Sequence, residues 1–361
     1  MASRADRRFM RLAIALGARG LGRVWPNPAV GCVIVRDGRI LARGWTQPGG
    51  RPHAEAMALA RCDARGATVY VSLEPCAHHG RTPPCCDALI AAGVARVVTA
   101  LTDPDPRVAG QGHARLRAAG VAVDEGVEAD AAALVNAGFL LRVTEGRPWV
   151  TLKLAQTLDG RIATARGESR WITGPEARRA VHALRARHDA VLVGGGTARA
   201  DDPDLTVRDL GVTQQPVRVV ASRGLDLDPN GRLGRSARDV PLWVLHGDGL
   251  DVPAAWAATG ARMMGCAVSE GYLDPHAIMT ALAGEGITRV FCEGGGALAA
   301  SLLRAGLVDE LVLFTAGKVI GADGLPGMGP LGLAALADAP QFDLVGFDRI
   351  GADTCQIWRR R

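Results

Sequence analysis

Short β-branched runs alternate with helix-like segments along almost the whole chain, and that alternation is broken once. No other feature constrains the fold as tightly, because strands alternating with helices build βαβ units and a largely parallel sheet. In the first series, 29–35 and 40–45 are strand runs joined by Asp37-Gly38, a two-residue hairpin signal. A helix over 53–65, a strand over 68–73, a helix over 85–92 and a strand over 94–101 follow. Residues 111–119 and 121–123 repeat the unit, and a helix over 129–143 closes the series. The polar stretch Thr144-Glu145-Gly146-Arg147-Pro148 is the expected linker. Beyond it, strands are expected at 149–155, 190–193, 217–221, 242–245, 289–292 and 310–315, with helices at 175–186, 275–283 and 297–304. Residues 223–240 and 247–260 read as loops. We therefore place two α/β domains at 1–146 and 147–361, a division that 361 residues also favour.

Composition removes several alternatives. At 48% hydrophobic and 22% charged, the chain is neither disordered nor fibrous, and no apolar run approaches the ~18 residues of a membrane span. A formal charge of +5 hints at nucleic acid until it is resolved by residue. Only Lys153 and Lys318 are lysines, against forty arginines scattered among Asp and Glu. That ratio, with abundant Ala and Gly, reads as the codon bias of a GC-rich genome rather than as a nucleic-acid footprint. The eight cysteines are too sparse for a disulfide scaffold, and Cys32 and Cys292 lie inside apolar runs as buried small residues. Arg4, Arg7 and Arg8 precede an apolar stretch that Arg11 interrupts, which suits an amphipathic first helix better than a signal peptide. A reducing cytoplasm is the expected compartment.

One constellation carries chemistry. His53-Ala54-Glu55 opens a helix, Glu74-Pro75-Cys76 ends a strand, and Cys85 heads the next helix after Pro83-Pro84. One imidazole and two thiolates, each at a helix start, supply three ligands of a tetrahedral Zn²⁺ site and leave the fourth position to water. Helix dipoles favour thiolate at both cysteines. Glu55, not itself a ligand, faces that water and shuttles its proton to a leaving amine, the logic of zinc nucleobase deaminases. Here the cysteines are nine positions apart rather than three, with Ala77–Pro84 looped out between them. Cys86 is a rival ligand, but its side chain points about 100° round the helix from that of Cys85. His78 and His79 are expected to contact a substrate phosphate or to close the loop.

The second half carries two strand–Gly₃–helix turns, Gly194-Gly195-Gly196 and Gly294-Gly295-Gly296. Glycines there let the backbone approach a pyrophosphate, although neither turn is a G-x-G-x-x-G. Ser222-Arg223 ends a strand with a hydroxyl and a guanidinium, a pair suited to a 2′-phosphate and hence to NADP. Lys153 sits within a strand, where a compact ammonium replaces the usual arginine fork. Lys318 matches no motif and reads as a surface or phosphate-loop residue.

These motifs, in order, resemble the bifunctional riboflavin-biosynthesis deaminase–reductases. The resemblance rests on Pro26-Asn27-Pro28-Ala29-Val30-Gly31-Cys32, His53-Ala54-Glu55, Glu74-Pro75-Cys76 and Thr82-Pro83-Pro84-Cys85-Cys86-Asp87. It continues through Leu158-Asp159-Gly160-Arg161, Gly167-Glu168-Ser169-Arg170-Trp171-Ile172-Thr173, Ala200-Asp201-Asp202-Pro203 and Leu205-Thr206-Val207-Arg208. It implies a cytidine-deaminase-like three-layer domain followed by a dihydrofolate-reductase-like domain. The first would deaminate a diaminopyrimidinone ribosylamino phosphate, and the second would reduce the ribosyl group to ribityl with NADPH.

By the same resemblance His53, Cys76 and Cys85 bind zinc, Glu55 is catalytic, and Asn27 contacts the pyrimidine. Lys153, Ser169, Arg185, Leu205, Arg208 and Glu293 would surround the reductase substrate, with Arg185 and Arg208 on its phosphate. Ala155, Trp171, Thr197, Asp201, Ser222, Gly295, Gly296, Ala297, Leu298, Ala299, Ala300 and Ser301 would line the cofactor. Asp201 and Lys153 are candidates to organise the proton that accompanies hydride transfer. The chain departs from its relatives at Thr46, where they often have His, and at Asp105, where they often have Asn. The expected partner is a small phosphorylated pyrimidine nucleotide, with no nucleic acid and no membrane, in a homo-oligomer. The rival reading is a nucleic-acid-editing zinc deaminase with an accessory C-terminal domain, which would want more aromatics than the 4% present.

Overall fold

The computed structural model describes residues 2–78, 83–106 and 108–361. Its contacts divide between Arg147 and Pro148 into two compact units. The first contains α1 (Arg4–Gly17), β1 (Gly31–Arg36), β2 (Arg39–Trp45), α2 (Ala54–Leu59), β3 (Thr68–Val71), α3 (Cys85–Ala91), β4 (Arg96–Thr99), α4 (Gln111–Ala118), β5 (Ala122–Asp124) and α5 (Ala129–Glu145). The strands form one sheet in the order β2-β1-β3-β4-β5, antiparallel as far as β3 and parallel beyond it. The hairpin turn is Asp37-Gly38, with φ of 51° and 72°, the left-handed pair that a two-residue turn requires.

Alternate residues of β1 enter opposite cores. Cys32 and Ile34 join Val69, Val71 and Val97 on one face, while Val33 and Val35 join Tyr70 and Val98 on the other. Burial on both faces explains the uninterrupted apolar run in β1. Helix α1 covers the second face, capped by Ser3, whose hydroxyl accepts from Asp6 N–H while Asp6 accepts from Ser3 N–H. Two element boundaries differ from expectation. Helix α2 stops at Leu59 instead of continuing to 65, because the turn after it delivers Ala64 and Ala67 into the core. Helix α5 runs on through Thr144 and Glu145 to Gly146, which caps it at φ 69°, so the first two residues of the expected linker are helical.

The second unit contains β6 (Trp149–Thr157), β7 (Arg161–Ala163), α6 (Pro175–Arg185), β8 (Ala190–Gly194), α7 (Gly195–Asp201), β9 (Val217–Ala221), α8 (Arg232–Arg235), β10 (Leu242–Gly247), α9 (Ala254–Thr259) and β11 (Arg262–Cys266). It continues with β12 (Val268–Ser269), β13 (Tyr272–Leu273), α10 (Pro275–Gly284), β14 (Arg289–Cys292), α11 (Gly296–Arg304), β15 (Glu310–Ala316), β16 (Leu325–Pro326), β17 (Phe342–Ile350) and β18 (Asp353–Arg360). Nine strands make one sheet, β11-β10-β9-β8-β14-β6-β15-β18-β17, parallel from β11 to β15 and finished by an antiparallel hairpin. Helices α8 and α9 occupy the stretches expected to be loops. Among the described residues no helix is long and apolar enough to cross a membrane.

Candidate functional site

In the first unit three sequence-distant side chains meet. His53 is the residue before α2, Glu55 lies in its first turn, and Cys85 opens α3. Cys76 lies in the extended segment between β3 and α3, not at a helix start as expected. It is nevertheless bound to one, because Cys85 N–H donates to its Sγ at 3.3 Å. His53 Nδ1 is 3.3 Å from Cys85 Sγ and 3.7 Å from Cys76 Sγ, and all three donor atoms lie within 4.8 Å of one another. A tetrahedral zinc with Zn–S of about 2.3 Å and Zn–N of about 2.0 Å has ligand–ligand edges of about 3.5–3.8 Å, so this donor set fits that ion. Cys86 is excluded: it is fully buried in the core, with its thiol directed toward Asp87 at 3.7 Å.

The electrostatics agree with a metal-binding role. The Cys85 thiol donates toward Cys76, and this bond, helped by His53, draws Cys76 down to about 4 despite burial. The same bond, with burial, pushes Cys85 well up, so Cys76 is the first of the pair to ionise. Glu55 is 4% exposed, and burial pushes its carboxyl up to about 7 with His53 opposing. A carboxyl poised near neutrality can both take and return a proton.

The surroundings are fixed by backbone contacts. The Asn27 amide donates to Val24 O at 3.2 Å, and Gly50 packs against it at φ 81°. A Cβ on Gly50 would lie 2.1 Å from Asn27 Nδ2, so only glycine lets residues 48–52 close over Asn27 just before His53. The Thr46 hydroxyl accepts from Val30 N–H at 3.0 Å and so pins the end of β2. Asp105 N–H donates to Asp103 Oδ1 at 2.9 Å. His78 is exposed, and His79 lies outside the described residues. Sequence reasoning missed Glu74. Its buried carboxylate accepts from the N–H groups of Asp103 (3.1 Å), Gly110 (2.9 Å), Gly112 (2.8 Å) and His113 (3.3 Å). Glu74 thus clamps the segment carrying Asp103 and Asp105 beside the strand end that supplies Cys76.

In the second unit the two glycine turns lie side by side, since β8 and β14 are parallel neighbours. Gly295 N–H donates to Thr197 Oγ1 at 3.0 Å, joining the two turns. A Cβ on Gly294 would meet Leu298 Cδ2 at 2.7 Å, and one on Gly195 would meet Ser222 Oγ at 2.9 Å. Bare backbone at the carboxyl ends of adjacent parallel strands fits a dinucleotide pyrophosphate. Of the expected cofactor segment, Ala297 is exposed and Leu298 and Ser301 are partly so, but Ala299 and Ala300 are buried in the core and offer no side chain to a ligand. A further stretch, 317–330, also reaches these turns. Gly329 N–H donates to Gly296 O at 2.9 Å, and Lys318 Nζ donates to Trp171 O at 2.6 Å, which gives Lys318 a place that sequence did not. Trp171 is 60% exposed, with the Arg178 guanidinium 4.7 Å from its ring centre.

Lys153, Arg185 and Glu293 form the charged centre of this unit. Arg185 grips Glu293 with two bonds (2.5 and 3.0 Å) and donates to Thr206 O at 2.8 Å. Burial pushes the Glu293 carboxyl up, but Arg185 outweighs it and the group sits below its ordinary range. Burial pulls Lys153 below the usual lysine value, while Glu293 and Asp201 resist. Ala155 follows two residues along β6, partly buried over Phe291 and Phe314. Leu205 has φ 55° and a side chain buried 3% exposed in the core, so its backbone is what it can offer a ligand. A bulky residue at positive φ costs about 1–2 kcal/mol, strain of the kind found at binding loops. Arg208 is half-exposed and paired with Asp204 at 2.8 Å. Ser169 is partly buried in the loop before Trp171, its carbonyl accepting from Ile172 N–H at 3.1 Å.

Comparison with known proteins agrees with both units. Residues 3–101 match the cytidine and deoxycytidylate deaminase zinc-binding region, and residues 148–356 match the RibD C-terminal domain. Fold and sites together define a bifunctional deaminase–reductase, with a cytidine-deaminase-like unit followed by a dihydrofolate-reductase-like one. The riboflavin biosynthesis protein RibD of Escherichia coli (strain K12) is 43% identical over 97% of this chain and 98% of its own. That of Aquifex aeolicus (strain VF5) is 38% identical over 98% of each. The solved structure of Acinetobacter baumannii RibD, form 1, superposes with a TM-score of 0.89 at 36% identity, covering 99% of both chains. The Thermotoga maritima diaminohydroxyphosphoribosylaminopyrimidine deaminase/5-amino-6-(5-phosphoribosylamino)uracil reductase gives 0.87 at 36% identity, also over 99% of both. The chain belongs to the riboflavin biosynthesis protein RibD family. A second half that matches a reductase domain does not favour the nucleic-acid-editing rival.

Proposed function

We propose that this chain performs two consecutive steps on one pyrimidine nucleotide. The first is hydrolytic deamination of 2,5-diamino-6-ribosylamino-4(3H)-pyrimidinone 5′-phosphate; the second is NADPH-dependent reduction of its ribosyl group to ribityl. The observation that carries the reading is the convergence of His53, Cys76 and Cys85 beside buried Glu55, in a chain whose other half gathers Lys153, Arg185 and Glu293 near two glycine turns. A zinc ion bound by the three ligands supplies Lewis-acid activation of water. Glu55 would take a proton from a water molecule whose oxygen adds to the amine-bearing ring carbon. It then returns a proton to the amino nitrogen, so the C–N bond breaks, ammonia leaves and a carbonyl remains. Asn27, its amide bonded to Val24 O, would orient the ring.

The glycine turns 194–196 and 294–296, joined by Thr197, would hold NADPH, which would supply hydride for C1 of the opened ribosyl group. Hydride added to C1 of the opened C1=N imine requires one proton on the imine nitrogen, which stays bonded to both the ring and the ribityl chain, and Lys153, with Asp201 near enough to act on its charge, can provide that proton. Arg185 and Arg208 suit the substrate phosphate, each exchanging part of its present carboxylate pairing for it. We also infer a reducing, cytoplasmic setting, supported by eight free cysteines, and a homo-oligomer, supported by the exposed apolar residues of edge strand β17.

The test follows ammonia release and NADPH oxidation separately in wild type and Glu55→Gln. The variant is expected to lose ammonia release by about 10²–10⁴-fold, keep its zinc, and still oxidise NADPH on the deaminated intermediate. Undiminished ammonia release would refute the deaminase assignment, and absent NADPH oxidation by wild type would refute the reductase one.

A further inference from the structure

Resting on the NADPH reading, we propose that Arg199, rather than Arg223, recognises the cofactor's 2′-phosphate together with Ser222, and that Asp226 competes with that phosphate for both. Ser222 lies just past the end of β9, next to the strand that carries the first glycine turn, and is 3% exposed. Its hydroxyl donates to Asp226 Oδ1 at 2.8 Å. Arg199 Nη1 donates to the other oxygen of the same carboxylate at 2.5 Å. A hydroxyl and a guanidinium therefore already converge on one anionic group, with a geometry that suits phosphate oxygens equally. Both donors border the space left by Gly195, where a Cβ would lie 2.9 Å from Ser222 Oγ and 3.4 Å from Arg199 Nη1.

Arg223 points elsewhere. It lies in the turn that Leu225 N–H closes onto Ser222 O, and it is exposed with its Cγ beside Gly247 at the end of β10. The Asp226 carboxyl is held below its ordinary range, first by the Ser222 hydrogen bond and also by Arg199, so it is an anion at neutral pH. Binding of a 2′-phosphate must displace it, which makes Asp226 a brake on affinity and Arg199 the source of discrimination.

Calorimetric titration of the full chain with adenosine 2′,5′-bisphosphate and with AMP reads the phosphate preference directly, without turnover. Wild type is expected to favour the bisphosphate by about tenfold or more, the scale of one charge-assisted contact. Arg199→Gln should reduce that preference to about threefold or less, while Asp226→Asn should tighten bisphosphate binding, a gain that misfolding cannot imitate. Loss of the preference in Arg223→Gln with its retention in Arg199→Gln would overturn the assignment and leave the NADPH reading standing. Equal binding of the two nucleotides by wild type would overturn both.

Discussion

Lys153 shows how much a single side chain can be asked to do. In a chain with forty arginines, a half-buried position within a strand that keeps a lysine needs something arginine lacks. A guanidinium never gives up its proton, whereas burial has already lowered the Lys153 ammonium toward doing so. If that proton serves the reductase step, activity should fall on the alkaline side of neutrality below the ordinary lysine pKa of 10.5, because the charged form is lost early. Lys153→Arg is expected to cut NADPH oxidation by about 100-fold while ammonia release continues, measured on the two half-reactions separately. Equal activity of the variant would show that only charge matters there. The convergence of His53, Cys76 and Cys85 was legible because metal chemistry needs those residue types, and a 100° helical step separated Cys85 from Cys86. Glu74 and Arg199 were not legible. Their partners are backbone N–H groups 29 to 39 positions away and a carboxylate 27 positions away, which no local pattern encodes.

Among elements, the segment from Asp103 to His113 depends on one carboxylate. Glu74 accepts N–H groups from Asp103, Gly110, Gly112 and His113, and without that acceptor the buried donors of Gly112 and His113 would be unsatisfied. Glu74→Gln leaves a single acceptor oxygen and turns an NH₂ toward the remaining donors. The first unit should lose about 1–3 kcal/mol, seen as a lower urea midpoint, and the KM for deamination should rise as Asp103 and Asp105 loosen. An unchanged midpoint would show that the clamp carries no weight. Strands β6, β8, β9 and β14 were readable because burial on both faces demands continuous apolar runs. The β17–β18 hairpin was not. Asp and Arg punctuate both strands, and a bulge between Leu344 and Gly346 shifts the alternation partway along.

At the scale of the molecule, β17 leaves one edge of a nine-stranded sheet open, with Leu344 51%, Val345 47% and Phe347 59% exposed. Natural edges are normally charged or covered, so the apolar stretch between Asp343 and Asp348 suits pairing with a second copy of the chain. Sedimentation of Phe347→Asp should show a shift toward monomer relative to wild type; identical profiles would place any self-association elsewhere.

The sheet order also sets a timetable for biosynthesis. Strand β14, residues 289–292, inserts between β6 and β8, which are made more than ninety residues earlier. A ribosome that has released the first unit has a complete five-stranded sheet outside the tunnel, free to collapse at once. The second unit has no such freedom. Its two innermost early strands must wait unpaired on the sides that β14 will join, exposing sticky edges until late in translation. Chaperone dependence during synthesis should therefore concentrate in the reductase half.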